Sequence, residues 1–320
     1  MNTFSKNPID ISVCMITYNH AKYIEQAVKS VLNQKGDFVL ELVIGVDLSD
    51  DSTFTICKNL KKESETQNRK IKILGTENRL GMSENLQRTL QICKGKYIAF
   101  LEGDDYWTLD SKLSIQKKLL DNNKKIDICA TLFSTFIVNE NKKIEPDVIK
   151  YGRISTISFD YSCVKNPFGT LTVMIRNNNI LIPEWVWNMP FIDWPLFCSI
   201  LSKRKFGYVI NIDTATYRFH SKGVYGRQKS KDIIHKTNKI YRHFKREYKA
   251  VLKRKTVKLI NDRLIKNKKQ FFYFANRTKG NKLKLFFIFV ALLIELLLKC
   301  RYKESRNLIG YYFFHNISES

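Results

Sequence analysis

The chain contains no Cys-x-x-Cys pair, no Gly-x-Gly-x-x-Gly turn and no Gly-x-x-x-x-Gly-Lys-Ser/Thr loop. The first absence, with seven cysteines (14, 57, 93, 129, 163, 198 and 300) scattered singly through apolar runs such as "ISVCMI", argues against a disulfide frame or a zinc site. Those cysteines read as core thiols in a reducing compartment. The other two absences remove the dinucleotide fingerprint and the P-loop. The N-terminus, "MNTFSKNPIDISVCMI", lacks a basic segment followed by a long apolar one, so no signal peptide is expected. The longest apolar run, residues 285–299, is broken by Glu295 and falls short of the roughly 20 residues a spanning helix needs. It reads as a buried or interfacial helix. No internal repeat and no low-complexity linker is present.

Acidic residues are scarce, and most of all in the C-terminal third. Residues 227–320 hold 25 Lys and Arg against 6 Asp and Glu, a net +19, while residues 1–226 hold 30 against 24, a net +6. Composition therefore divides the chain into a near-neutral body, 1–226, and a basic helical region, 227–320. A basic tail calls for an anionic partner, nucleic acid or a membrane face; a solvated helical face is the plain alternative.

The first 125 residues alternate between two periodicities. "ISVCMITY", "LELVIGV", "KIKIL" and "KYIAFL" are short apolar runs that read as strands. Between and after them, "AKYIEQAVKSVLNQ", "DSTFTICKNLKKES", "SENLQRTLQICK" and "LDSKLSIQKKLLDNN" carry helical spacing. Strands without polar alternation belong in a parallel sheet covered on both faces, an α/β architecture. Residues 126–226 read as sheet completion plus an acceptor-side lobe. Strands are expected at "DICATLFSTFIV", "TLTVMIR", "FGYVI" and "TATYRFH", and a helix at "DWPLFCSILSK".

In such sheets ligands lie beyond the carboxyl ends of the strands. There the chain places "TYNH" (17–20), "DLSDDST" (47–53), "TENRLG" (76–81) and "EGDDYW" (102–107). Any one is a common cap or loop; four in succession point to a site. Adjacent Asp104 and Asp105 on a tight turn suit Mg²⁺ or Mn²⁺ shared with substrate phosphates, which also answers their mutual repulsion. The expectation is that both are poorly satisfied without nucleotide and metal. Glu102 is expected to face away or support the turn, and Gly103 to permit the bend.

As an ordered set, "ISVCMITYNHAKYIEQAVKSVLNQ", "ELVIGVDLSDDST", "ENRLGMSENLQRTLQICKGKYIAFLEGDDYW", "DWPLF" and "YRFHSKGV" resemble family 2 glycosyltransferases with the GT-A fold, over roughly residues 9–226. The resemblance implies a mostly parallel central sheet with helices on both faces, followed here by the helical extension. It implies that Thr17 and Tyr18 line a nucleotide pocket, Asp47 bonds the base, and Arg79 lies on the base or pyrophosphate. Asp104 then contacts ribose or metal, Asp105 binds the metal, Asp193 is the acceptor-side general base, and His220 approaches the metal or diphosphate. Leu48 and Asp50 depart from the family pattern, and Asp50 leaves the nucleotide's identity open.

The activity implied is inverting transfer of a sugar from a nucleoside-diphosphate sugar, UDP-linked by preference, to a hydroxyl of a glycan or lipid-linked acceptor. The setting expected is the cytoplasm, with peripheral attachment at the inner membrane face as an option that the tail's charge and apolar run motivate, and with no nucleic-acid partner. Two rival readings stand beside it. A sugar-nucleotidyltransferase needs a Gly-rich, Arg- and Lys-bearing loop where this chain has "TYNHAKY". A non-enzymatic basic membrane- or nucleic-acid-binding protein explains the tail but not the four strand-end clusters.

Overall fold

The computed structural model describes residues 9–146, 156–178, 180–202, 205–221, 223 and 230–277. The chain divides into two compact units, Met1–Asp262 and Arg263–Ser320. The apolar run at 285–299 lies outside the described residues, and among those described no helix is long and apolar enough to cross a membrane.

The first unit is built on a mixed sheet. Four parallel strands come first: β1 (Ile11–Thr17), β2 (Leu40–Val46), β3 (Arg69–Leu74) and β4 (Tyr97–Glu102). Helices α1 (Ile24–Leu32), α2 (Thr53–Ser64) and α3 (Gly81–Ile92) connect them. After β4 come β5 (Tyr106–Trp107), α4 (Lys112–Asn122), β6 (Ile126–Ile137), β7 (Lys142–Ile144), β8 (Thr156–Ile157), α5 (Phe159–Val164) and β9 (Met174–Arg176). The unit continues with α6 (Glu184–Trp187), α7 (Asp193–Leu201), β10 (Phe206–Phe219) and α8 (Ser230–Glu247), and α9 (Arg254–Arg277) begins within it.

The strand order is β3-β2-β1-β4-β9-β6-β10-β5, with β7 and β8 pairing outside this path. Short β9 runs antiparallel to both β4 and β6, so β4, β6 and β10 all point the same way. Their carboxyl ends, with that of β1, share one edge.

Alternate residues of the central strands feed two cores, as the two-residue period of a strand requires. Val13, Met15, Leu42, Ile44 and Leu101 pack under α1, α2 and α4. Cys14, Val43, Ile98 and Phe100 pack under α3 and α7. All six described cysteines are buried and free.

Two elements differ from the sequence expectation. "FGYVI" and "TATYRFH" are one strand, β10, whose register against β6 shifts around Asp213; those irregularities absorb the polar "NID" between them. "TLTVMIR" is a 3₁₀ turn at Thr170–Thr172 followed by three strand residues. Beyond the compositional boundary at residue 226 the chain continues to pack on the body. Helix α8 rests on the first unit: its Tyr241 hydroxyl donates to the Val164 carbonyl at 2.8 Å, and Tyr241 and Phe244 meet the Trp194 ring edge-on.

Phe197 is buried between Phe100 and Phe168, each ring centroid 5.8 Å away. Phe197→Ala is expected to cost about 3–5 kcal/mol of stability. Urea unfolding measures this, and a loss below about 1 kcal/mol would show that the α7 side of the sheet is not a packed core.

Candidate active site

Strands β1 and β4 are neighbours, while the chain leaves them in opposite lateral directions. This makes a topological switch point, where a crevice opens beyond the strand ends. Thr17 ends β1 and Glu102 ends β4, and the Gly103 N–H donates to the Ile16 carbonyl at 3.0 Å. A Cβ on Gly103 would stand 2.5 Å from the Thr17 hydroxyl and 2.7 Å from its Cβ. Glycine is thus required by close approach to β1, not by a left-handed backbone.

The loops after β1 and β2 are tied to each other. Asn19, at φ 54, accepts the Asp50 N–H at 2.8 Å and donates its own N–H to Ser49 Oγ at 3.1 Å. His20 N–H donates to Thr53 Oγ1 at 2.9 Å, and Ala21 N–H to Asp51 Oδ2 at 3.0 Å. These bonds keep residues 18–23 out of α1 and set His20 at the crevice.

Asp47 is almost fully buried and accepts three backbone N–H groups: Leu48 and Leu80 on Oδ1 at 2.9 and 2.8 Å, and Gly81 on Oδ2 at 2.9 Å. It therefore anchors the start of α3, not that of the next helix in sequence. The exposed Arg79 guanidinium lies 4.1 Å from the centroid of the Tyr18 ring, a cation–π stack. The Thr17 hydroxyl is buried without a hydrogen-bond partner among the described residues.

The "EGDDYW" turn is the electrostatic centre. Asp104 Oδ2 lies 3.1 Å from His220 Nε2 and 3.4 Å from His20 Nε2. Asp105 is buried, and its Oδ1 accepts the Arg218 backbone N–H at 2.7 Å. The Arg218 guanidinium donates to the Asp104 carbonyl at 2.5 Å and to Gln26, and stacks over Tyr106 and Tyr23 at 4.4 and 5.1 Å. The two aspartates are therefore partnered from within the chain, contrary to the expectation of a bare pair.

Glu102 does not face away. It lies within charge range of Asp193 at the first position of α7, and the Thr170 hydroxyl is within hydrogen-bonding reach of both carboxyl groups. Glu102 Oε2 is buried without a partner among the described residues. Asn166 Nδ2 donates to Asp193 Oδ2 at 2.9 Å. Phe191, two residues before Asp193, has φ 50, a strained conformation for an aromatic residue.

These surroundings separate the acidities. Burial, then the Asp104 and Asp193 charges, push the Glu102 carboxyl up to about 8. Burial, then Asp104 and Glu102, raise Asp105 well above the carboxylate range, partly offset by Arg218. Burial also raises Asp104, but its bond to His220 and the two imidazoles outweigh it, and the net shift is downward. Burial lowers His20 and pushes Asp193 up to about 6.

The site also fits a divalent ion. Asp104 Oδ2 and His220 Nε2, hydrogen-bonded at 3.1 Å, are oxygen and nitrogen donors of types a divalent ion accepts. Among the described residues, no group of three or more His, Cys, Asp or Glu side chains is arranged to hold an ion by itself. The donor set thus suits an ion whose remaining positions go to phosphate and water.

Residues 12–185 match the sequence family described as glycosyl transferase family 2, over half of the chain. The chain belongs to this family. It is 26% identical over 242 residues to the Escherichia coli UDP-Glc:alpha-D-GlcNAc-diphosphoundecaprenol beta-1,3-glucosyltransferase WfaP, covering 71% of this chain and 84% of that one. It spans about 60% of the length of the curated mycobacterial relatives that it matches at 29% identity over 67% of its own length. Residues 1–349 of Staphylococcus aureus TarS, solved with UDP-GlcNAc, superpose with a TM-score of 0.60 at 17% identity, over 95% of this chain and 80% of that one. The Pyrobaculum calidifontis mannosyltransferase solved with GDP-Man and Mn²⁺ does so at 0.60 and 13%, over 94% and 83%. The fold is that of the GT-A glycosyltransferases.

Thr17, Tyr18, Asp47 and Arg79 stand around the ends of β1 and β2 and the start of α3; Asp104, Asp105 and His220 around the turn; and Asp193 beside Glu102. Sequence reasoning missed His20, Glu102, Arg218, Asn166 and Thr170. His20 and Arg218 were within reach, since they belong to the quoted "TYNH" and "YRFH". Asp47→Ala is expected to destabilise the protein by about 1–3 kcal/mol, because it removes the acceptor of three partly buried N–H groups. Denaturant unfolding checks this, and an unchanged midpoint would contradict the anchoring role.

Proposed function

We propose that the chain is an inverting glycosyltransferase moving a sugar from a nucleoside-diphosphate sugar, UDP-linked by preference, to a hydroxyl of a glycan or lipid-linked acceptor. The observation that carries the reading is the placement of Asp193. It heads α7 at the same strand edge as the Asp104 turn, with a carboxyl pushed up to about 6 by burial. A base with that acidity is deprotonated at neutral pH yet takes a proton readily. Support for the donor class comes from TarS, solved with UDP-GlcNAc, and support for a lipid-linked acceptor from the name of WfaP.

In this mechanism Asp193 takes the proton of the acceptor hydroxyl while the oxygen bonds to the anomeric carbon. The bond from that carbon to the nucleoside diphosphate breaks, and the diphosphate leaves with the electron pair. A single displacement inverts the anomeric centre. Asn166 and Thr170 hold Asp193 in orientation. A bound divalent ion supplies positive charge against the diphosphate, with Asp104 and His220 to hold it and His20 alongside. Asp105, expected to bind the ion, is buried with its Oδ1 on the Arg218 backbone N–H, so this reading gives the ion to Asp104 and His220 and leaves Asp105 to shape the turn from behind. The nucleoside falls to Thr17, Tyr18 and Arg79, and to the one remaining acceptor site of Asp47, on Oδ2. The tail's charge fits attachment at an anionic membrane face. The nucleotidyltransferase alternative finds no support: the loop after β1 is committed to the β2 loop by the bonds of Asn19, His20 and Ala21.

Screening nucleotide sugars for turnover, followed by Asp193→Asn, tests the assignment. The substitution is expected to lower kcat by about 10²- to 10⁴-fold while the protein remains folded. Retention of full activity removes Asp193 from the base role. With the active sugar, kcat/KM is expected to fall tenfold per pH unit below about 6 and to level off above it, because the base works only when deprotonated. A profile flat down to pH 5 contradicts the role.

A further inference from the structure

The turn between α8 and α9, with the first two turns of α9, carries a concentrated charge that the site does not use. Residues 248–261, "YKAVLKRKTVKLIN", hold five basic residues and no acidic one. Tyr248, Leu252, Thr256 and Ile260 are buried. Asp160 pins the turn from α5, accepting the Lys253 N–H at 3.2 Å and the Thr256 hydroxyl at 2.5 Å. With those residues facing inward, Lys249, Arg254, Lys255 and Lys258 are exposed, and among the described residues none forms an ion pair. Between them stand two exposed aliphatic side chains, Val251 at 56% and Leu259 at 42% exposure.

We infer that this corner is a docking surface for an anionic lipid bilayer. The cations match acidic headgroups, and the apolar pair raised among them fits the boundary between headgroups and acyl chains. A nucleic-acid platform would be built differently. Sequence-tolerant binding of single strands uses exposed aromatic side chains, and residues 249–262 contain none.

The surface is also connected to the reaction centre. Helix α8 leads into the corner, and midway along it Lys239 Nζ donates to the Asn188 carbonyl at 3.1 Å while Lys236 Nζ lies 5.7 Å from the Phe191 ring centroid. Both contacts fall on the segment that delivers Asp193. A bilayer at the corner would bring a membrane-anchored acceptor to the acceptor side of the site. In that respect the inference rests on the proposed lipid-linked acceptor. Its test uses no turnover, so the two can fail separately.

The test is co-sedimentation of the full chain with phosphatidylcholine vesicles, with and without phosphatidylglycerol, at low and high salt. Binding is expected only with phosphatidylglycerol and is expected to weaken with salt. Three variants are compared with wild type after their melting temperatures are shown to be unchanged. Replacing Lys249, Arg254, Lys255 and Lys258 together by Gln is expected to lower the partition coefficient by about 100-fold or more. Replacing Val251 and Leu259 by Ser is expected to lower it by about tenfold. The control, with Lys58, Lys62, Lys118 and Lys124 replaced by Gln, removes the same charge elsewhere and is expected to stay within about threefold of wild type. Equal loss in the patch and control variants overturns the inference, because net charge then binds the vesicle. So does wild-type partition by the patch variant, as does tighter, patch-dependent binding of a single-stranded oligonucleotide.

Discussion

Glu102, Asp104 and Asp105 stand within four residues at the end of β4, with Asp193 facing them from α7. All four could not be ionised together in a half-buried crevice at tolerable cost. The chain resolves this by unequal treatment. Asp104 alone is given cationic or polar company on its open side, His20 and His220, and its acidity shifts toward the charged form. Glu102 and Asp105 are buried and shifted toward the neutral acid. Arg218 closes the arrangement from behind, bonding both to the turn's backbone and to the Asp105 carboxyl. Within the turn one negative charge is thereby left on the open side, that of Asp104, in a place where a cation could share it, while Asp193, at about 6, is the other carboxylate ionised at neutral pH.

The sheet makes this possible. Three of the participating segments come from strands that end on one edge: β1 brings His20, β4 brings the acidic turn, and β10 brings Arg218 and His220. The position of β10 depends on β6, with which it pairs along most of its length. Asp193 arrives by a different route, from a helix whose apolar side is buried in the second core and whose start is preceded by the strained Phe191. The Asp193 side of the site is therefore held by packing, and the opposite side by the strand ends and the hydrogen bonds between their loops.

Much of this was legible in the residues. Continuous apolar strands with helical runs between them identified the four parallel strands and their helices, because burial on both faces leaves an unmistakable pattern. Strand-end polarity located the crevice. What was not legible is partnership across long separations. Asp105 and Arg218 are 113 residues apart, and nothing local to "EGDDYW" announces that β10 will donate to it. Glu102 looked like turn support because its neighbour Asp193 comes 91 residues later. Asp47 was expected to bond a base, and nothing local to "VDLSDDS" announces that its carboxylate accepts the first N–H groups of α3, 33 and 34 residues on. Charge alone did not announce that α8 buries Tyr241 and Phe244 on one face. Composition averages over both faces of a helix, and packing reads only one.

The claim at the centre of this account is that Asp104 holds the one open charge of the turn and shares a cation with a nucleoside diphosphate. Titrating UDP into the full chain by calorimetry, with and without Mn²⁺, measures that coupling directly. The account predicts that Mn²⁺ tightens UDP binding by about tenfold or more and that Asp104→Asn removes the gain. Equal UDP affinity with and without Mn²⁺, or an undiminished gain in the Asp104→Asn protein, would contradict it.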